Sequence, residues 1–343
     1  MSHESVERTA SSPERLLTGA TGRVSIALSF GWFGLRLGRE ALPPLLPALI
    51  ENLDITASKA GISLSILWAL YAVMQYPGGR VSDQLSRNTV LSASLAIMSV
   101  GFLLLTTIET YVGLLASIVF VGIGGGLYFT ASRVLLSDMY VDRRGLALGI
   151  NDAAGTVGSA VAAGIAIVTL QLGRWQLTFL PVVGVLVFTS VLLYRWRQEP
   201  YIVARIDFGF REMVRRVLDL REIRWVLVAY SLFTFATSGI VGFLPAFLQA
   251  EKGFSPLLAN GTFIVLFIAG MLASPVAGTL SDRASRTFIA AGGIALGTLG
   301  LSGMLVTASA VLVAASVLLY AIGIRAYPPS CRRICSITSR TTP

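Results

Sequence analysis

Ten apolar runs follow one another along this chain of 343 residues: 24–48, 60–78, 89–107, 111–132, 146–170, 175–194, 224–248, 257–279, 287–307 and 309–324. Each is close to the ~20 residues a helix needs to cross a bilayer. Water is a poor solvent for such a sequence. It is 54% apolar and only 13% charged, about half the ~25% charge of an ordinary soluble domain. In lipid, each run must satisfy its own backbone hydrogen bonds, which selects helix. The runs therefore predict an all-α polytopic membrane protein. Residues 1–23 are polar with no apolar core, so no cleavable signal peptide is expected.

The basic residues set the expected orientation. With the N-terminus inside, the inner segments hold 22 of the 27 Lys and Arg, the outer loops hold Lys59, Arg174 and Lys252, and Arg36 and Arg39 lie within the first run. Positive charge concentrates on the cytoplasmic side, so the N-terminus and the long connection 195–223 are expected there, in the cell membrane. The formal charge of +9 is spread over these short segments and does not suggest nucleic acid. Within 195–223, Phe208, Phe210, Met213, Val214, Val217 and Leu218 alternate with Arg211, Arg215, Arg216 and Arg221. Two readings stand: an amphipathic helix on an anionic inner leaflet, or a solvated basic linker. The expected divisions are a tail 1–23, six spans in 24–194, the loop 195–223, four spans in 224–327 and a polar tail 328–343.

A repeat links the two sets of spans. Gly79-Arg80-Val81-Ser82-Asp83-Gln84-Leu85-Ser86-Arg87 returns as Gly278-Thr279-Leu280-Ser281-Asp282-Arg283-Ala284-Ser285-Arg286, with Gly, Ser, Asp, Ser and Arg 199 residues apart. Each copy is expected to be a tight polar turn, with glycine making it sharp and the Asp and Arg pairing or capping the flanking helices. Leu46-Pro47-Ala48 matches Leu244-Pro245-Ala246, and Ile123-Gly124 with Tyr128 matches Ile322-Gly323 with Tyr327. Spans seven to ten thus repeat spans one to four, and nothing repeats spans five and six. After Tyr327 the composition changes abruptly, and no apolar span follows.

The pattern G-x-x-x-D-x-x-x-R between spans two and three, echoed between spans eight and nine, resembles the signature loop of the major facilitator superfamily. Asp138 followed by Arg143-Arg144-Gly145 resembles its acidic and Arg-Gly pattern after span four. Gly145, Gly149, Gly155, Gly158 and Gly164 resemble its glycine-rich fifth helix. The resemblance covers about 24 to 327. It implies two bundles related by a pseudo-two-fold axis along the membrane normal, rocking around a midplane site. It implies a complete six-helix N-terminal bundle and a C-terminal bundle of four, about ten helices of the family's twelve. It also implies a gating role for Gly79, Asp83, Arg87, Asp138, Arg143, Arg144, Gly278, Asp282 and Arg286 at the inner ends of the helices.

Arg36, Arg39 and Glu40 fall on one helical face of span one. Arg36 lies ~18 Å and Glu40 ~24 Å along the helix from position 24. A charge near the bilayer centre costs roughly 2.5–3.5 kcal/mol on insertion scales, so it should face a partner or a cavity. Either Arg36 and Glu40 neutralise one another and merely pack, or the two arginines bind an anionic group while Glu40 releases Arg36 or takes a proton. Pro43, which cannot donate to Arg39, either kinks the helix beside these charges or ends it. The 198-residue offset places Thr234, Thr237 and Ser238 opposite, so the second half brings hydroxyls rather than a second arginine. Asp152 in span five is expected to cap or pair with an inner-surface Arg, with proton coupling as the alternative. Gln75 and Tyr76 line a cavity or anchor at the interface. Ala154-Gly158-Ala162 and the span-five glycines suit close helix packing.

Enzyme motifs are absent. The single histidine is His3, and Cys331 and Cys335 have no companion ligands, so neither metal nor cofactor is expected. The resulting expectation is secondary transport of a small solute, with an organic or inorganic anion as the candidate, by a monomer in the lipid bilayer, with H+ as a candidate co-substrate. The alternatives are an inactive, truncated or frameshifted transporter fragment, and a membrane sensor or interaction protein that does not move solute.

Overall fold

The structure, a computed structural model, describes residues 19–140, 143–196, 221–283 and 286–338. The proposed amphipathic segment lies mostly outside these residues. So do the side chains of Asp83, Gly278, Asp282 and Arg286.

The described chain is built of helices that cross back and forth. These are α1 (Gly19–Asn52), α2 (Ala57–Val73), α3 (Gln75–Gln84), α4 (Arg87–Leu105), α5 (Tyr111–Met139), α6 (Arg144–Gln171), α7 (Phe179–Trp196), α8 (Arg221–Ala250), α9 (Pro256–Arg283), α10 (Arg286–Val306) and α11 (Ala310–Thr338). One 3-10 turn, Trp175–Thr178, leads into α7. Helices α2 and α3 form one crossing interrupted at Met74, so ten crossings result. Seven of these segments are long and apolar enough to span a membrane by themselves. The chain is a multi-pass membrane protein.

Hydroxyls set the starts of several helices. The side chains of Thr56, Ser86 and Thr110 accept from the backbone N–H groups of Lys59, Thr89 and Gly113, relieving donors that the first helical turn leaves unpaired. The backbone decides two points here. Of the two readings of Pro43, the end is excluded, since α1 runs on through Pro43, Pro44 and Pro47 to Asn52. The repeated turn is mostly helix: Gly79 to Gln84 form the end of α3, and only Leu85 and Ser86 leave the helix before α4. In the second copy, Gly278 to Arg283 end α9 in the same way. Gly79 has no positive φ, so it does not sharpen anything. The neighbouring Gly78 does the close work, since a Cβ there would stand 3.1 Å from the Leu127 Cα on α5. Helix α11 continues to Thr338, into the segment 328–343.

Two buried apolar clusters organise the packing. One gathers α1 to α7 around residues such as Leu28, Leu35, Met98, Phe102 and Tyr128. The other gathers α8, α9, α10 and α11 around Phe263, Phe267, Met304 and Tyr320, with Ala163 of α6 joining it. Tyr128, fully buried, ties α5 to α1 by donating to the Leu28 carbonyl at 2.7 Å. Of the span-five glycines, now on α6, Gly155 and Gly158 face α1: a Cβ at Gly158 would lie 2.5 Å from the Phe33 carbonyl oxygen. Gly145, Gly149 and Gly164 have nothing within 4 Å of such a Cβ, so the expectation of packing glycines holds for two of the five. The two halves pack through α6 with α9 and α1 with α8, and they also meet where α2 begins and α8 nears its end: a Cβ at Gly61 would lie 3.3 Å from the Phe243 ring, and one at Gly242 would lie 3.6 Å from Leu64.

Candidate functional site

The charged face of α1 opens on a cavity of ≈ 190 Å³ between the halves. Its walls come from α1 (Arg36, Arg39, Glu40), α2 (Leu64, Leu67, Trp68) and α8 (Thr237, Ser238, Val241). Leu266 and Phe267 of α9 and Ile324 of α11 close it. Sequence reasoning placed the three charges and two of the three hydroxyls here. Thr234 is not among the lining residues and is exposed.

Helical periodicity explains the charge geometry. Four residues apart, Arg36 and Glu40 meet at 2.9 Å. Arg39 reaches the same oxygen of Glu40, Oε1, at 3.2 Å. One carboxylate therefore serves two guanidinium groups, and the three side chains sum to one positive charge. Arg39 and Glu40 are buried, at 4% and 5% exposure. Arg39 Nε and Nη1 have no hydrogen-bond partner among the described residues, although charged buried donors without partners are costly. The self-neutralising pair is thus present but incomplete.

Aromatic rings hold the guanidinium groups in place. Arg39 lies 4.3 Å from the Trp68 ring centroid and 4.9 Å from that of Tyr71. Arg36 lies 6.0 Å from Trp32 and 5.9 Å from Phe267. Cation–π attraction strengthens when the cation is desolvated, and a planar guanidinium stacks on rings as an ammonium cannot. This aromatic cradle was not foreseen from sequence. The signal was available in the Trp68 and Tyr71 spacing, which places both on one face of α2.

The other expected polar residues lie elsewhere. Asp152 pairs with Arg133, which stacks on Phe129 at 4.7 Å and lies 5.9 Å from Trp32. The inner-surface partner expected for Asp152 is therefore Arg133. Asp138 pairs with Arg87, joining the end of α5 to the start of α4. The expected neighbours Arg143 and Arg144 are exposed. Gln75 offers its carbonyl to the Thr130 hydroxyl at 3.0 Å, and neither Gln75 nor Tyr76 lines the cavity. Asp83, Gly278, Asp282 and Arg286 cannot be assigned contacts, since their side chains lie outside the described part.

A charged cavity thus lies between two sets of membrane helices. Residues 28–338 match the Major Facilitator Superfamily model, and the chain belongs to that family. Among curated proteins it is similar to a probable sulfoacetate transporter of Cupriavidus necator, 29% identical over 257 residues that cover 69% of this chain and 59% of that one. It is similar to a hexuronate transporter of Bacillus subtilis, 21% identical, covering 72% and 61%. A probable nitrate transporter of Staphylococcus haemolyticus is 23% identical, covering 71% and 62%. The chain therefore spans about three fifths of the length of the curated relatives it matches. In fold it resembles a bacterial homologue of the human lysosomal transporter Spinster in an inward-facing, unoccupied conformation. The TM-score there is 0.74 at 18% identity, covering 92% of this chain and 75% of that one.

Proposed function

We propose that this chain moves a small anion across the cytoplasmic membrane by alternating access, with the cavity as its binding site. The observation that carries the proposal is Arg39: a buried guanidinium facing the cavity with two unpartnered donor nitrogens, in a cluster that one carboxylate leaves one positive charge in excess. An anion supplies both the missing acceptors and the missing charge. The names of three relatives agree, since sulfoacetate, hexuronate and nitrate are all anions.

The N-terminus and central loop lie on the cytoplasmic side, which the 22-to-3 partition of basic residues supports. The two bundles, 24–194 and 224–327, then touch at their outer ends, where Gly61 meets Phe243, as an inward-open carrier requires. The duplicated Gly79, Asp83, Arg87 and Gly278, Asp282, Arg286, with Asp138, Arg143 and Arg144, form the inner gate. The Arg87–Asp138 pair supports this role. Glu40 is the acid through which a proton would couple to transport, because protonating it releases both arginines; Asp152, already held by Arg133, is the second candidate.

Reconstitution into proteoliposomes tests the proposal, with uptake followed for a panel of radiolabelled anions that includes nitrate, glucuronate and butyrate. Uptake of at least one anion is expected, together with its loss in Arg39→Gln. An Arg39→Gln protein that inserts and transports like the original sinks the reading.

A further inference from the structure

The walls of the cavity say more about its ligand than the sign of its charge. Three features bear on it. First, the charge excess is single, because the charged residues lining the cavity are two basic, Arg36 and Arg39, and one acidic, Glu40. A divalent anion would leave one negative charge uncompensated against a largely apolar wall, where unpaired charge is expensive. Second, the rest of the wall is apolar: Leu64, Leu67, Val241, Leu266, Phe267 and Ile324. A bare inorganic anion would give up hydration to this wall and receive nothing for it, whereas a hydrocarbon body gains from the contact.

Third, the two hydroxyls on α8 are not equivalent. Thr237 sends its hydroxyl back to its own helix, to the Phe233 carbonyl at 2.8 Å and the Thr234 carbonyl at 3.1 Å. A hydroxyl has one proton to donate, so Thr237 has none left for an anion. Ser238, the next residue along, makes no hydrogen bond among the described residues and lines the same cavity. Its donor is available.

We infer that the cavity takes a monovalent organic oxyanion, a short carboxylate or sulfonate with an apolar body, whose head group lies on Arg39 and is met from the second half by the Ser238 hydroxyl rather than by Thr237. This rests on the anion-carrier reading above and narrows it. It also gives the ligand a contact on each half, Arg39 on α1 and Ser238 on α8, so that binding links the two.

The test is ligand binding to the purified chain in nanodiscs, followed by intrinsic fluorescence, since Trp32 and Trp68 lie beside the two guanidinium groups. The probes are butyrate, benzoate, succinate, sulfate and nitrate. Butyrate or benzoate should bind at least tenfold more tightly than succinate, sulfate or nitrate. Ser238→Ala should weaken butyrate binding by about tenfold, the worth of one hydrogen bond to a charged group, while Thr237→Val leaves it within about twofold. Succinate or sulfate binding as tightly as butyrate in an Arg39-dependent manner overturns the inference and leaves the anion-carrier reading standing. Equal losses in Ser238→Ala and Thr237→Val overturn the Ser238 assignment. Failure of every anion to bind, with Arg39→Gln indistinguishable from the original, overturns both.

Discussion

At Arg39 the guanidinium is held by ring faces, Trp68 at 4.3 Å and Tyr71 at 4.9 Å, as much as by its bond to Glu40 at 3.2 Å. Shape therefore matters as well as charge. Arg39→Lys keeps the charge and loses the stack, and butyrate affinity is expected to fall at least tenfold in a fluorescence titration; unchanged affinity would show that charge alone suffices. Glu40 is the counterpart case. Removing one partner of a buried charge cluster costs about 3–5 kcal/mol, and Glu40→Gln strands two arginines instead of one. The variant should melt at a lower temperature than the original in differential scanning fluorimetry. Added anion should restore more stability to the variant than to the original, because the ligand then replaces a missing carboxylate; a variant as stable as the original without anion contradicts this. The charges themselves were legible in the sequence, since Arg36, Arg39 and Glu40 share a helical face. Their sharing of one oxygen was not, because i to i+4 spacing names only the Arg36–Glu40 pair, and the rotamer of Arg39 depends on rings from another helix.

Among the elements, α1 is the one whose sequence left its course open. Pro43 left two readings, a kink or an end, and α1 passes Pro43, Pro44 and Pro47 and continues to Asn52. A proline costs a helix one hydrogen bond and a steric clash, and burial against neighbouring helices offsets that loss here: Leu42, Leu45, Leu46 and Leu49 are all at most 3% exposed. The repeated motif was misread as a turn, because Gly, Ser and Asp favour turns when nothing else decides. Its glycine serves helix contact instead, beside Gly78 against α5. Glycine content in α6 overstated the close contact, since only packing can tell Gly158 from Gly164. That difference is measurable. Gly158→Ala drives a methyl into the Phe33 carbonyl and should cost about 1–3 kcal/mol as overpacking. Gly164→Ala meets open space and should be neutral, or stabilising by up to about 1 kcal/mol through helix propensity. Thermal melts of the two variants in one detergent check the contrast, and equal destabilisation would count against the α1–α6 contact.

On the scale of the whole molecule, the ten crossings were legible because the bilayer imposes their length, and the two related halves were legible from the 199-residue offset. What the sequence could not place was where those halves touch. The contact of Gly61 with the tip of the Phe243 ring predicts that Gly61→Cys with Phe243→Cys, in a chain carrying Ser at 331 and 335, is cross-linked by a short bis-methanethiosulfonate reagent, whose span replaces the lost ring where a direct disulfide would not reach. Uptake should stop on cross-linking and return on reduction; full uptake by the cross-linked protein would mean that this contact does not open during the cycle. The polar character of α1 reaches further still. Of the crossings in the first half, α1 alone is absent from the segments apolar enough to span a membrane by themselves, because its middle carries the three charges. Each charge near the bilayer centre costs roughly 2.5–3.5 kcal/mol on insertion scales, so α1 gains from a neighbour that covers its charges. Trp68 and Tyr71, which shield Arg39, follow it in the chain, so α1 is expected to settle in the membrane together with α2. The residues that make the site are thus also a constraint on membrane insertion.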